Sequence, residues 1–358
     1  MQALILRTWR QIMKQLCFTT VEEVYSYTKN EIVLKKNGII LFAIPDLIKE
    51  LAGNVPANVI LCSSAGEYTG NGYKKGVISG FQYEKEDSEI VEIPYPAIKA
   101  IDQLKASYER VKHNKNAFML LLCDGLNGTE ETVLSTFYFM ESDFKIIGGS
   151  AGDNLEFQDT YIYIGGKRVS NVAIFFDSKK RTSIMKENIY TNTGKEMLVT
   201  KADVLKRTVK TFNNRPASTE YARMLGITEH ELPNYFLDNP LGKAYENDIF
   251  IASPMKVNSD KSITFYCELM ENTFLHILKV EEPLKVLKET ISKAEFKPSF
   301  VFSVHCILRS LKFIQEGTWN AIDKELLQFC SNITGFVSYG EQYYKNHSNQ
   351  TLVLLLVE

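Results

Sequence analysis

Unbroken apolar runs recur along this chain. Residues 38–43, 58–62, 117–123, 300–306 and 333–337 are dominated by aliphatic and aromatic side chains and show no polar alternation. That is the pattern of strands covered on both faces. Between them the period lengthens. Ile98, Ile101, Leu104, Tyr108 and Val111 return at intervals of three and four, which predicts an amphipathic helix over 97–112. Pro45 suits the first turn of a short helix over 46–52. Asn127, with Glu130 three residues on, reads as the cap of a helix reaching about residue 140. Arg215-Pro216-Ala217 opens another helix, closed by Gly226, and further helices follow over 284–291 and 318–329. Gly165-Gly166, between runs 160–164 and 169–176, predicts a hairpin.

Three strand ends share one short pattern of serine, any residue, glycine and an acid. The copies are Ser64-Ala65-Gly66-Glu67, Ser150-Ala151-Gly152-Asp153 and Ser338-Tyr339-Gly340-Glu341. A backbone that turns sharply at a strand end needs glycine's conformational range, and serine and acid side chains hydrogen-bond such a turn. One copy means a turn. Three in the same context predict a repeated unit, with Gly66, Gly152 and Gly340 at comparable strand ends and the loops facing a shared cleft. The stretch from strand 117–123 to its hairpin can be laid beside the stretch from strand 300–306 to the final strand, which reads as an internal duplication. The expected class is α/β (or α+β): two packed lobes of related strand-helix-strand units with mixed sheets.

At 358 residues the chain exceeds what one core usually supports. A basic polar cluster at 178–181 marks a boundary without a Pro/Gly/Ser linker, so the lobes are expected to pack together. The division is residues 1–30 as a leading extension, 31–178 as the first domain and 179–358 as the second. Met13 is an alternative start that would make 1–12 dispensable. A formal net charge of −2 gives no electrostatic footprint for nucleic acid. The longest apolar run, 352–357, is strand-sized, so membrane insertion is not expected. Six scattered cysteines without C-x-x-C spacing read as reduced residues of a cytoplasmic protein.

Cys306-Ile307-Leu308-Arg309, Gly335-Phe336, Tyr339-Gly340-Glu341 and His347-x-Asn349-x-Thr351 closely resemble the C-terminal half of the FIST family, a bacterial sensory module. Arg215-Pro216-Ala217-x-x-x-Tyr221 and Ser253-Pro254 match other parts of that half, and Gly148-Gly149-Ser150-Ala151-Gly152-Asp153 matches the N-terminal half. The resemblance runs from about residue 33 to the end. It departs at Glu271-Asn272, where the family tends to carry a glycine. What it implies is a non-enzymatic small-ligand sensor for amino acids or small carboxylates. Its output would pass through a separate histidine kinase, chemotaxis receptor or cyclic-dinucleotide enzyme. Some stand-alone members bind haem and sense nitric oxide, so haem is an alternative, requiring a pocket-facing histidine and a porphyrin-sized apolar cavity.

The candidate ligand-binding residues are Ser150, Asp153, Arg215, Cys306, Arg309, Tyr339, Glu341 and His347. Arg309 follows a strand, where its planar fork either grips a ligand carboxylate or pairs with Glu341. Asp153 and Glu341 are placed to receive an ammonium, or else serve their turns. Arg215 beside a helix-starting proline suits an ion pair. An enzyme using Cys306 or Ser150 as nucleophile needs a base, and His305 beside Cys306 points to the opposite strand face, which leaves Cys306 reading as core. His347 falls in a polar loop before the last strand. No histidines have ligand spacing, so no metal is expected, and no phosphate-binding glycine motif is present.

Overall fold

The computed structural model describes residues 13–30, 35–245 and 248–358. The leading extension over 1–12 lies outside them. The fold is α/β with two lobes. The larger lobe contains three six-stranded sheets built to one plan: a lead strand, the unit's last strand, a parallel pair, and an edge hairpin borrowed from another unit. In the first unit the order is Met13–Phe18, Ile78–Glu84, then the parallel pair Asn37–Ala43 and Val59–Ser63. In the second it is Ser88–Ile93, Asn171–Phe176, then Phe118–Cys123 and Lys145–Ser150. In the third it is Thr182–Asn188, Thr351–Val357, then Phe300–Cys306 and Ile333–Ser338.

Each Ser-x-Gly-acid motif ends the second strand of a parallel pair and sends the following hairpin to a neighbouring sheet. The hairpin Glu67–Thr69/Gly72–Lys74 pairs with the third unit, Glu341–Tyr343/Asn346–Ser348 with the second, and Ile162–Ile164/Lys167–Val169 with the first. The exchange closes a ring. Gly66, Gly152 and Gly340 thus occupy comparable places, as the repeat reading requires.

Burial on both faces explains the unbroken apolar runs. One central cluster draws from all three sheets, including Phe42 and Ile60, Phe118 and Leu120, and Phe302 and Phe336. Phe42 stacks on Phe336 with ring centroids 4.3 Å apart. Outside, helices Val21–Thr28 and Pro45–Ala52 cover the first sheet, Ile101–Val111 and Glu130–Ser135 the second, and Pro283–Ile291 and Trp319–Phe329 the third. Packing is closest inside the parallel pairs. A Cβ on Gly335 would lie 1.8 Å from the Ser303 carbonyl oxygen, and one on Gly148 1.9 Å from that of Leu121. Gly335→Ala is therefore expected to lower stability by about 2–3 kcal/mol, read as a lower urea midpoint at unchanged slope. An unchanged midpoint would mean the strands separate freely.

Two expectations need correction. The Gly165-Gly166 turn, with φ of +53° and +80°, joins only Ile162–Ile164 to Lys167–Val169, and Asn171–Phe176 crosses to the second unit's sheet. The helix after Asn127 is shorter, Glu130–Ser135, and Asn127 does not cap it. Asp124 takes the amides of Leu126 at 2.9 Å and Asn127 at 3.2 Å, closing a turn that precedes the helix.

The smaller lobe is inserted between Thr182–Asn188 and Phe300–Cys306. It is an eight-stranded antiparallel sheet carrying helix Ala217–Leu225, which ends at Gly226 with φ +80°. At the departure from the family pattern, Asn272 takes φ +64°, a conformation asparagine tolerates better than most residues, so the turn keeps the shape a glycine would give.

Candidate functional site

The three motifs meet at the centre of the larger lobe and are stitched to one another by main chain. Ala65 donates its amide to Val337 O at 3.0 Å and Val337 to Gly66 O at 2.8 Å. Ser150 donates to Gly340 O at 2.9 Å, Tyr339 to Ser150 O at 3.0 Å and Gly152 to Ser63 O at 3.0 Å. Ser64 and Ser338 each donate to the acid of their own motif, Glu67 at 2.7 Å and Glu341 at 2.8 Å. Glu67 further accepts the Gly76 amide, and Glu341 the amide and hydroxyl of Thr351. Burial pushes Glu67 up to about 7 and Glu341 up to about 8, against the pull of those hydrogen bonds.

Asp153 and Glu341 are therefore committed to the fold rather than open to an ammonium. Asp153 accepts the amides of Phe157, Gln158 and Asp159 and the hydroxyl of Tyr339. Arg309 is fully buried and grips Glu187, not Glu341: Nε lies 3.0 Å from Oε2 and Nη2 2.8 Å from Oε1. Its Nη1 is 3.2 Å from His305 Nδ1, and its carbon lies over the Phe313 ring. The guanidinium is wholly enclosed, with its side chain 0% exposed. Burial, then Arg309's charge, hold His305 well below the usual histidine range. Cys306 is buried, and burial followed by the Glu341 charge pushes its thiol far up. Arg215 is exposed, 3.9 Å from Glu220. His347 lies in strand Asn346–Ser348 rather than a loop. It is buried against Gly340, and both its ring nitrogens lack partners.

One open cleft, of about 310 Å³, lies where the lobes meet. The larger lobe contributes Leu126, Glu130, Phe157, Ile307 and Tyr339, and the smaller lobe Arg207, Met255, Phe265 and Tyr266. It sits beyond the carboxyl ends of Phe118–Cys123 and Phe300–Cys306, where open α/β sheets form ligand crevices. Ser150 connects to it indirectly, donating to Glu130 Oε1 at 3.1 Å. Arg207 spans the lobes. Its Nη2 donates to Glu130 at 2.7 Å and to Glu131 at 2.6 Å, and its Nη1 to the Tyr266 carbonyl at 3.0 Å.

Of the candidate residues, only Tyr339 lines the cleft. Arg207 and Tyr266 sit in no sequence motif, and Glu130, read as the partner of Asn127 in a helix cap, instead pairs with Arg207 across the lobes. The single trace of Arg207 was its place in a polar turn between strands.

Two lobes closing over an apolar cleft with a few convergent polar groups have the form of a small-molecule binding module. A model of the FIST N domain matches residues 39–215 and one of the FIST C domain matches 217–344, so the chain belongs to the FIST family. FIST domains are associated with small-ligand sensing in signal transduction. No curated protein matches the chain. Among the described residues no helix is long and apolar enough to cross a membrane, and no cluster of three His, Cys, Asp or Glu could hold a metal.

The haem reading of the sequence calls for a histidine nitrogen presented to a flat apolar slot. No histidine lines the cleft. His276 and His347 do line a second, wider cavity of about 510 Å³, where Glu131, Lys243 and Lys345 share the wall and both ring nitrogens of His347 are buried without a hydrogen-bond partner. The charged wall of this second cavity is not the flat apolar slot that a histidine-held haem needs.

Proposed function

We propose that this chain is a non-enzymatic sensor whose ligand, of amino-acid or small-carboxylate size, seats in the cleft between the lobes. The observation that carries this reading is that the two walls of the cleft belong to different lobes, with Arg207 bridging them beside it. A ligand touching both walls has a different affinity for each arrangement of the lobes, and that difference is what a sensor transmits. The receiver is a separate histidine kinase, chemotaxis receptor or cyclic-dinucleotide enzyme. A non-enzymatic role is supported by the buried, proton-holding Cys306 thiol and by Ser150, whose hydroxyl engages Glu130 and Gln342 rather than a histidine. A cytoplasmic location is supported by six free cysteines, five of them buried.

The test is a thermal-shift and calorimetric screen of amino acids and small carboxylates against the parent and Met255→Trp. Met255 is 40% exposed on the cleft wall, so tryptophan there should fill the cleft and leave the core alone. A ligand is expected to raise the parent's Tm by several degrees and the variant's not at all. A ligand that stabilises both equally would bind elsewhere.

A further inference from the structure

We infer that the second cavity between the lobes is a binding site of its own, for a small organic anion: a carboxylate on an apolar tail, held through Lys243 and Lys345. The site is separate from the cleft and does not depend on what the cleft takes.

This cavity of about 510 Å³ also has walls from both lobes. The larger lobe gives Glu131, Leu134, Lys345 and His347, and the smaller lobe Lys243, Phe250, Phe274 and His276. Its donors are free and its acceptors are taken. Among the described residues no carboxylate forms an ion pair with Lys243 or Lys345. Lys345 directs one of its three donors to the Met140 carbonyl. His347 is 6% exposed, and both of its ring nitrogens lack partners. The acids are in the opposite state. Glu131 accepts from Arg207 at 2.6 Å through one oxygen and from the Glu268 amide at 2.9 Å through the other. Glu196, 56% exposed, lies 3.9 Å from the His276 ring, and Asp248 holds Lys186, which sits over the Phe250 ring.

An ammonium drawn from water without a counter-charge is costly, and an entering anion removes that cost. Burial already holds Lys345 below the ordinary lysine range. The apolar wall supplies the rest of the site. Leu134 and Phe250 are buried, but Phe274 is 55% exposed, so a hydrocarbon tail laid on its ring takes apolar surface out of water.

Two acids oppose an anion here. Glu131 shares the wall, but it is flanked by cations: burial would raise its carboxyl, and the charges of His347 and then Arg207 hold it below the ordinary glutamate range. Glu268, which does not line the cavity, feels the Lys243 charge without pairing to it, and burial followed by the Glu131 charge pushes its carboxyl up.

The experiment compares 3-phenylpropionate, its neutral amide 3-phenylpropanamide and phenethylamine by calorimetry at neutral pH. The acid is expected to bind the parent at least about tenfold more tightly than the amide or the amine. Lys243→Gln and Lys345→Gln should each weaken the acid by about tenfold. Met255→Trp, which fills the cleft and leaves this cavity open, should bind the acid as the parent does. An amide or amine that binds as tightly as the acid would overturn the anion preference. Acid affinity unchanged in both lysine variants would overturn the site, and if that binding is also lost in Met255→Trp, the cleft is the carboxylate's seat instead. Failure of 3-phenylpropionate to bind the parent at millimolar concentration would overturn the inference and leave the cleft reading to its own test.

Discussion

Arg309→Ala is expected to destabilise the chain by about 3–5 kcal/mol, because it leaves Glu187 as an uncompensated buried charge. Both side chains are 0% exposed, and the bridge is bidentate. It ties the lead strand of the third unit, Thr182–Asn188, to the first turn of helix Ile307–Glu316. Arg309→Lys should recover only part of the loss, since an ammonium cannot match the two parallel hydrogen bonds. Replacing both partners, Arg309→Met with Glu187→Leu, should cost far less than Arg309→Ala alone, because the desolvation penalty disappears with the charge. Urea unfolding of the four corners of that cycle measures the coupling. A loss below about 1 kcal/mol in Arg309→Ala would mean that water reaches Glu187. If Arg309→Ala folds normally and loses only ligand affinity, the arginine is a ligand anchor after all.

Stability is expected to fall as pH rises from about 6.5 to 8. An unfolded glutamate releases its proton near 4.3, whereas folded Glu67 holds one up to about 7 and folded Glu341 up to about 8. Between those limits the native state binds protons that the unfolded state does not, so each group costs about 1.4 kcal/mol per pH unit. His305 works in the opposite sense below about 6.5, since it is held neutral in the fold while the unfolded ring takes up a proton. The decline is therefore steepest just above 6.5, where that offset ends, and levels off beyond pH 8. Urea unfolding at pH 6.5, 7.5 and 8.5 gives the slope, and Glu341→Gln should flatten it over the upper half of the range. A profile that is level or rises with pH would show both carboxylates ionised in the fold.

The repeated motif made the repeat legible, and the apolar runs made the double-sided sheets legible. Local chemistry also told where Ala217–Leu225 begins and ends, since Pro216 and Gly226 act through their own backbones. The ring of exchanged hairpins was not legible. Strands such as Glu67–Thr69 and Gly72–Lys74 are three residues long and carry no pattern that names a partner sheet. The first unit went unmatched for a related reason: its helix Pro45–Ala52 is one short element where the third unit has two, Ile307–Glu316 and Trp319–Phe329. Neither reading of Arg309, ligand carboxylate or Glu341, names its partner, because Glu187 lies 122 residues away on a strand without a motif. Arg207 was missed because its role depends on how two lobes dock, and no single lobe's sequence encodes that.

The ring of hairpins also imposes a timetable on synthesis. Strand Lys145–Ser150 receives its outer neighbour from Glu341–Tyr343, roughly 190 residues later in the chain, which at 5–20 residues per second is an interval of roughly ten to forty seconds on the ribosome. Throughout that interval its hydrogen-bonding edge is bare, and a bare edge is a template for pairing with other chains. The first unit waits about half as long, because its edge hairpin Ile162–Ile164/Lys167–Val169 is made within the second. Slow elongation over the inserted lobe would therefore harm yield mainly through the second unit, and nascent chains stalled within it should aggregate through Lys145–Ser150.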